Sequence, residues 1–255
     1  MLGSIPKEVV VALGEVLRKY DFSQAYAEKR LGHKFGGGFS AFAPTFLFPL
    51  FRLHLTLEAQ SPTDIFLLSF YCQYPVDIKQ LEEVFGAELF EKLCQHNLMR
   101  VEHDQATPTI QIIPFRDLVI ATDPPRKDRS GVQCLSFSSD AVMTLFPDSY
   151  DLASHVASKT ASSALDVFCG NGVQSLVLAR HVDRVVGVDI NEKALQYARF
   201  NAHLNNITNV EFQHHDVNES MRSLGRFDIV VANPPFVPAV RQRTFFCDGG
   251  ERGDY

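Results

Sequence analysis

The sequence predicts an α/β fold whose second half forms a Rossmann-like, doubly wound parallel sheet. Apolar runs typical of buried strands alternate there with segments of helical spacing, as a parallel sheet with crossover helices requires. A turn with two glycines, Gly170 and Gly172, joins the first of these strands to the first helix. The predicted order is strand 164–168, helix 172–181, strand 184–189, helix 191–205, strand 209–213, a short helical stretch at 217–224 and strand 227–232.

The glycine-rich turn predicts a place where a ligand lies against the main chain, because glycine turns sharply and has no side chain in the way. The next strand ends at Asp189, 17 residues after Gly172. A carboxylate at that strand end can accept hydrogen bonds from both hydroxyls of a ribose. A nicotinamide dinucleotide site would want a third glycine at position 175, where the chain has Ser175. The spacing therefore favours a different nucleoside-bearing ligand.

The tetrapeptide Asn233–Pro234–Pro235–Phe236 follows the apolar strand 227–232 and is the most informative stretch of the chain. The asparagine supplies a side-chain carbonyl acceptor. Pro234 has no N–H, so its carbonyl can point into a site while its neighbours stay extended. The phenylalanine offers a flat face for stacking. Together these groups suit the binding of a planar NH2 group by two acceptors.

These motifs together resemble the class I S-adenosylmethionine-dependent methyltransferases that carry Asn/Asp-Pro-Pro-aromatic, and the resemblance covers residues 141–255. Within that class the chain is similar to the HemK-type protein-glutamine N-methyltransferases. The resemblance implies S-adenosyl-L-methionine as the cofactor and a catalytic set of Asn233, Pro234, Pro235 and Phe236. The cofactor-binding residues that it implies are Asp166, Phe168, Gly170, Gly172, Asp189, Ile190, Asp216, Val217 and Asn233.

The resemblance also implies a role for each strand end. Asp166 and the glycine-rich turn would line the pocket for the methionine end of the cofactor, and Asp189 would take the ribose. Asp216 would bind the adenine amino group, and the backbone N–H of Val217 would meet the adenine ring. All of these residues fall at the carboxyl ends of predicted strands, where open α/β sheets bind ligands.

The segment Leu145–Tyr150, just before the first strand of the sheet, resembles one that some members of the class place against the cofactor. Its Asp148 could equally cap the helix that follows. Both interpretations of the segment stay open at this point.

The sheet is expected to be incomplete at its carboxyl-terminal side. Members of the class normally build seven strands, whereas the fourth predicted strand ends at Ala232 and only 19 residues follow Phe236. An uncovered apolar edge strand favours aggregation. We therefore expect a further segment or a partner to complete the sheet. The stretch 247–254 resembles an Asp-Gly-Gly loop of glutamine-directed members, which supports this expectation.

Length and composition predict two globular domains, since the chain has 255 residues with 45% hydrophobic and 21% charged. We assign an N-terminal domain to 1–122, a linker to 123–140 and the methyltransferase-like domain to 141–255. No apolar run reaches membrane-spanning length, so we expect a cytoplasmic protein without a membrane partner. The five cysteines show no Cys-x-x-Cys spacing, so we expect neither a zinc site nor a disulfide framework.

The N-terminal domain is predicted to be a winged-helix-like α+β unit. Its predicted elements are helix 7–31, three short helices at 63–71, 78–85 and 87–96, and strands 98–102, 109–113 and 118–121. Residues 1–123 carry 11 Lys/Arg against 15 Asp/Glu, a net charge of −4. A surface that reads duplex DNA is usually basic. The charge therefore favours a substrate-docking or packing module over a DNA reader.

The motifs predict a methyl transfer by direct displacement onto a planar NH2 nitrogen, without a metal or a covalent enzyme intermediate. We favour the glutamine side chain of a protein as the acceptor, with a translation factor as one candidate. The alternative is an adenine or guanine amino group in RNA or DNA. A second alternative, from a different functional class, is a binding module without catalytic activity.

Overall fold

The structure, a computed structural model, describes residues 2–32, 34–35, 61–124, 126–127, 133–134, 140–156 and 160–235. The chain divides into two compact units. The first is built mainly from residues 3–135 together with 203–206, and the second from 136–202 and 207–255. Phe236, the segment 237–255 and most of the predicted linker lie outside the described residues. The predicted domain limits stay a prediction.

The predicted short helices of the first unit are present, whereas the predicted helix 7–31 is divided in two. They are α1 (Lys7–Lys19), α2 (Gln24–Leu31), α3 (Pro62–Phe66) with a π-helical turn at Leu67–Tyr71, α4 (Ile78–Phe85) and α5 (Ala87–Gln95). The prediction of one helix over 7–31 is wrong. Asp21 adopts a left-handed conformation with φ of 52°. Ser23 then caps α2 by accepting a hydrogen bond from the backbone N–H of Tyr26 at 3.2 Å, so a second helix begins.

The strands of the first unit form separate antiparallel arrangements. They are β1 (Val76–Asp77), β2 (Met99–Glu102), β3 (Gln105–Pro108), β4 (Gln111–Phe115) and β5 (Leu118–Thr122), followed by the short pair β6 (Arg126–Lys127) and β7 (Gln133–Cys134). β3 lies between β1 and β2, while β4 pairs with β5. The predicted strand 109–113 is wrong at its start, because Thr109 donates backbone and side-chain hydrogen bonds to Leu98 and Asn97 instead of joining a ladder. The winged-helix description stays a prediction.

An aromatic cluster forms the centre of the first unit. The fully buried ring of Phe66 lies 5.4 Å from that of Phe85 and 6.0 Å from that of Phe22 between centroids. Phe70 lies 6.2 Å from Phe85 in an edge-to-face arrangement. Such tilted and edge-to-face pairs are the favoured geometries of aromatic rings. The cluster ties α3 and its π-helical turn to α4.

The second unit contains a parallel sheet, and this confirms the predicted fold class. Its strands are β8 (Ala161–Val167), β9 (Val182–Asp189), β10 (Val210–His214) and β11 (Ile229–Ala232), in the spatial order β10-β9-β8-β11. Its helices are α6 (Pro147–Val156), α7 (Val173–Leu178) and α8 (Glu192–Leu204). The predicted helical stretch at 217–224 is present only as a 3-10 turn at Met221–Leu224. The order reverses at β8, which makes the β8–β11 border the topological switch point.

The register of the sheet aligns its strand ends. Val167 of β8 lies opposite Val188 of β9 and Ala232 of β11. His214, the last residue of β10, lies opposite Asp189. Because all four strands are parallel, the loops that follow them leave from one edge of the sheet. The chain therefore brings together at that edge the segments that carry the predicted site.

Helix α7 packs closely on the sheet at a single glycine. A Cβ atom built on Gly187 would lie 2.7 Å from two ring carbons of Phe212 and 2.8 Å from Oγ of Ser175. Such distances are shorter than van der Waals contact, so any side chain at this position forces its neighbours apart.

We expect Gly187→Ala to lower the free energy of unfolding by about 1–3 kcal/mol, because the added methyl group overpacks the space beside Phe212. Urea denaturation monitored by circular dichroism measures the change. In a Phe212→Leu background the same substitution should cost less, since the ring is absent. An equal cost in both backgrounds would show that the ring contact is not the cause.

Within the described ranges, no helix combines the length and the apolar character needed to cross a membrane. The same ranges hold no cluster of three or more His, Cys, Asp or Glu side chains placed to bind a metal ion.

Candidate active site

The turn after β8 places its two glycines in different environments. Gly170 and Gly172 have φ values of 53° and 82°, in the left-handed region, and Phe168 has φ of 60°. A Cβ on Gly172 would lie 3.0 Å from Cβ of Ala198 and from Cζ of Phe212, so this glycine permits close packing. A Cβ on Gly170 would meet no atom of the described residues within 4 Å. Gly170 therefore presents bare main chain to an open space, as the sequence predicted for a ligand-binding turn.

Asp189 joins two loops at the end of β9. Its Oδ2 accepts a hydrogen bond from the backbone N–H of Gly170 at 2.8 Å, and its Oδ1 accepts one from the N–H of Asn191 at 2.8 Å. Burial raises the pKa of the Asp189 carboxyl, and the backbone donors of Asn191 and Gly170 oppose that rise. The backbone of Ile190 adds a third hydrogen bond to this carboxylate. A carboxylate has about four acceptor positions, so it can accept a further hydrogen bond from a ligand.

Asp166 lies in the sheet one residue before the end of β8 and is 1% exposed. Oγ of Ser175 donates a hydrogen bond to its Oδ2 at 2.6 Å. Burial raises the pKa of Asp166 to about 7; the side-chain and backbone hydrogen bonds of Ser175 oppose the rise, and the charge of Asp189 adds to it. Ser175, which replaces the glycine of a dinucleotide site, therefore has a specific partner in this structure.

The loop after β10 holds Asp216 through a local turn. Oδ1 of Asp216 accepts hydrogen bonds from the backbone N–H of Asn218 at 2.9 Å and from its Nδ2 at 3.0 Å. Val217 and Phe168 pack against the apolar cluster formed by the ends of β8 and β9. Ile190, next to Asp189, is 52% exposed. The predicted adenine-binding residues thus lie on an exposed loop edge with apolar side chains beside it.

Asn233 follows β11 and makes a contact that the sequence did not reveal. Its Nδ2 donates a hydrogen bond to Oδ2 of Asp148 at 2.6 Å, across 85 positions of the sequence. Both side chains are partly buried. Pro234 is exposed and Pro235 is partly buried. Phe236, which was predicted to stack on the acceptor, lies outside the described residues.

Two further amides hold the loops of the site and were missed by sequence reasoning. Nδ2 of Asn171 donates to the backbone carbonyl of Met143 at 3.0 Å, and Nδ2 of Asn201 donates to the carbonyl of Asn171 at 2.9 Å. Asn201 is fully buried on α8. The sequence offered one signal for this contact, which was Asn201 among the apolar residues of the predicted helix 191–205. A buried amide there must find hydrogen-bond partners.

Comparison with protein families identifies the class of the second unit. Residues 158–247 match the family described as "Methyltransferase domain". With the parallel sheet and the turn after its first strand, this match makes the second unit a class I methyltransferase domain, whose cofactor is S-adenosylmethionine.

The curated relatives have two kinds of substrate. A Methanocaldococcus jannaschii protein assigned provisionally as a protein N5-glutamine methyltransferase is 33% identical over 113 residues, covering 42% of this chain and 56% of that protein. The release factor glutamine methyltransferase of Aliivibrio fischeri is 38% identical over 79 residues, covering 30% and 28%. The 23S rRNA (uracil(1939)-C(5))-methyltransferase of Legionella pneumophila is 41% identical over 81 residues, covering 30% and 18%. The chain thus spans about half the length of the first relative and less of the others.

The residues present fit this cofactor. Gly170 leaves the main chain accessible, and Asp189 retains an acceptor position for a ribose hydroxyl at the adjacent strand end.

We expect the unfolding free energy to fall by a few kcal/mol between about pH 4 and about pH 7 because of Asp166. Its pKa is raised from 3.8 to about 7, so over this range the native state binds a proton that the unfolded chain releases. Asp166→Asn should flatten this part of the profile, leaving the smaller slope due to Asp189. Urea denaturation across this pH range measures the change in unfolding free energy for the wild type and the variant.

Asp183→Asn is the matched control, since Asp183 is an exposed carboxylate on the same sheet. It should leave the pH profile of stability as in the wild type. An unchanged profile in Asp166→Asn would contradict the raised pKa of Asp166.

Proposed function

We propose that this chain transfers a methyl group from S-adenosylmethionine to the side-chain nitrogen of a glutamine in a protein substrate. The observation that carries the proposal is the placement of Asn233, which continues β11 directly beyond Ala232. Ala232 pairs with Val167, so Asn233 lies level with the start of the glycine-rich turn. An amide that can hold an NH2 acceptor therefore lies beside the turn assigned to the cofactor.

The orientation of the Asn233 amide supports this role. A carboxylate only accepts hydrogen bonds, so the Asn233 atom that faces Asp148 is its NH2 group. The Oδ1 atom then points in another direction and can accept a hydrogen bond from an incoming NH2 group. The carbonyl of Pro234 supplies a second acceptor, because proline has no N–H to place there.

The chemistry required of the protein is positioning. The bound cofactor supplies a methyl group made electrophilic by a positively charged sulfur. The acceptor nitrogen forms a bond to that carbon with its lone pair, the electrons of the C–S bond pass to sulfur, and one N–H proton leaves to solvent. Two acceptors on the N–H bonds fix the direction of the lone pair and raise the electron density on nitrogen.

The site favours an NH2 acceptor over the uracil carbon methylated by the rRNA relative. A pyrimidine C5 atom has no N–H for Asn233 to accept, and it becomes nucleophilic only after another nucleophile adds to the ring. Cys169, the cysteine of the glycine-rich turn, is buried, and burial raises the pKa of its thiol. A buried neutral thiol is a packing group and not a nucleophile.

Charge favours a protein over a nucleic acid. The chain has a net charge of −6. On α5, the last of the three short helices predicted for the winged-helix-like unit, the cation Lys92 is paired with Glu88 at 2.6 Å. A nucleic-acid interface needs cations directed at phosphates. An adenine or guanine amino group in RNA or DNA is the second candidate. The rRNA methyltransferase relative supports RNA as a substrate class, although its own acceptor is a uracil carbon.

The test of substrate class uses S-adenosylmethionine with a radiolabelled methyl group, the full chain and a cell extract. The labelled products are divided and treated with protease or with nuclease. Label released by protease and recovered as N-methylglutamine supports the proposal. Label released by nuclease would contradict the proposal and favour the nucleic-acid candidate. Absence of both labelling and cofactor binding would leave the chain as a binding module.

We expect Asp189→Ala to weaken the binding of S-adenosylmethionine by about 1–3 kcal/mol, because charge-assisted hydrogen bonds to the ribose are lost. Isothermal titration calorimetry measures the affinity. Glu211→Ala is the control, since Glu211 is exposed on the neighbouring strand. Unchanged affinity in Asp189→Ala would show that the ribose does not bind at this strand end.

Asn233→Ala should abolish methyl transfer while cofactor affinity stays within a few-fold of the wild type, because in this proposal the Asn233 side chain binds the acceptor and the ribose contacts of Asp189 remain. Gln213→Ala removes another amide, one bonded to Glu211 at 3.0 Å on β10, and should retain turnover. Single-turnover assays with the labelled cofactor measure both variants. Normal turnover in Asn233→Ala would overturn the assignment.

A further inference from the structure

We propose that Asp148 is a positioning residue for Asn233, setting which face of the Asn233 amide meets the methyl acceptor. The inference rests on the proposed function, in which Asn233 holds the NH2 group of the acceptor. It adds a residue from the segment before β8, which lies outside residues 158–247 that match the methyltransferase family. One hydrogen bond carries it, together with the fixed position of the backbone around the acceptor of that bond.

The contact fixes the amide. Nδ2 of Asn233 donates to Oδ2 of Asp148 at 2.6 Å, a short hydrogen bond. An asparagine amide can otherwise turn about its last side-chain bond and exchange the places of its oxygen and nitrogen. With the oxygen and nitrogen exchanged, the Asn233 NH2 group would face the NH2 group of the acceptor, and two donors cannot bond to each other. The carboxylate of Asp148 therefore selects the orientation that has the oxygen available.

The backbone on both sides of Asp148 is held by hydrogen bonds. Asn171 donates to the carbonyl of Met143, before Asp148, at 3.0 Å. Gln174 donates to the carbonyl of Ser149, directly after Asp148, at 2.9 Å. Ser149 is 2% exposed, and its N–H donates to the carbonyl of Phe146 at 3.0 Å as helix α6 begins. Both amide donors come from the turn and helix that follow β8, so Asp148 has a fixed place relative to the glycine-rich turn.

A carboxylate in the first turn of α6 is also favoured by the helix dipole, whose positive end lies there. The helix start explains why an acidic residue is stable at this position, but it does not require the 2.6 Å contact with Asn233. The two roles can therefore be separated by the choice of substitution. Asparagine keeps an oxygen acceptor without the charge, whereas alanine keeps neither.

The kinetic test compares Asp148→Ala, Asp148→Asn and the control Asp151→Ala, in which an exposed carboxylate of the same helix is removed. We expect kcat/KM for the acceptor to fall about 10–100-fold in Asp148→Ala, mainly through kcat, because the acceptor nitrogen is misdirected in the transition state. Asp148→Asn should recover only part of this loss, because an amide at position 148 can also donate to Oδ1 of Asn233 and no longer selects one orientation. Asp151→Ala should behave as the wild type. Affinity for S-adenosylmethionine, measured by calorimetry, should stay within a few-fold in all three.

A second readout does not depend on turnover. The side-chain NH2 signals of Asn233 in a nitrogen-15 correlation spectrum are assigned by their absence from Asn233→Ala. In the wild type the proton bonded to the carboxylate should be shifted downfield from its partner proton. Asp148→Ala should remove that separation, while Asp151→Ala should leave it in place.

Two results would overturn the inference. Unchanged Asn233 signals in Asp148→Ala would show that the contact does not hold the amide in solution. A loss of cofactor affinity as large as the loss of turnover would show that Asp148 binds the cofactor and does not position Asn233. If the wild type methylates no amide or amine acceptor, the proposed function fails, and the spectra still decide whether Asp148 sets the amide orientation.

Discussion

The alignment of parallel strand ends at the β8–β11 border is the constraint on which the site depends. Val167 has Val188 on one side and Ala232 on the other, so the residues after these three strands leave the sheet level with one another. The glycine-rich turn, Asp189 and Asn233 are far apart in sequence and become neighbours only through this register. A slip of one residue in β11 would also turn its side chains to the opposite face, so the register and the site are specified together.

Buried carboxylates give the site its chemical character. The pKa values of Asp166 and Asp189 are both raised, chiefly by burial, and each carboxylate is held by specific donors from Ser175, Gly170 or Asn191. Burying negative charge costs stability, and a cationic ligand beside these groups would offset that cost. A cationic ligand bound beside these groups would lower their pKa values, so ligand binding and the charge of this edge of the sheet are coupled.

Much of this arrangement follows from local sequence, and the rest follows from contacts between distant segments. The apolar runs that alternate with helical segments predicted the four strands of the parallel sheet. The glycine at position 170 predicted a turn whose main chain is open to a ligand. The break after Lys19 was not predictable from apolar spacing, because it depends on the left-handed backbone of Asp21. The contact between Asp148 and Asn233 spans 85 positions, and no local pattern encodes it. The sequence alone showed that Ser175 stands where a nicotinamide dinucleotide site would have glycine. Its hydrogen bond to Asp166 could not be predicted, because the two residues meet only in the folded chain.

The segment before β8 connects the turn proposed to bind the cofactor with the amide proposed to bind the methyl acceptor. Asn171, in the turn assigned to the cofactor, holds this segment at Met143, and Asp148, in the same segment, holds Asn233. The cofactor turn and the acceptor amide are thus oriented through one short piece of chain as well as through the sheet. Direct displacement needs the donor carbon and the acceptor nitrogen in line, and an error in either position reduces the rate steeply. A shared support for both positions keeps their relative geometry fixed even where each loop is free to move by itself.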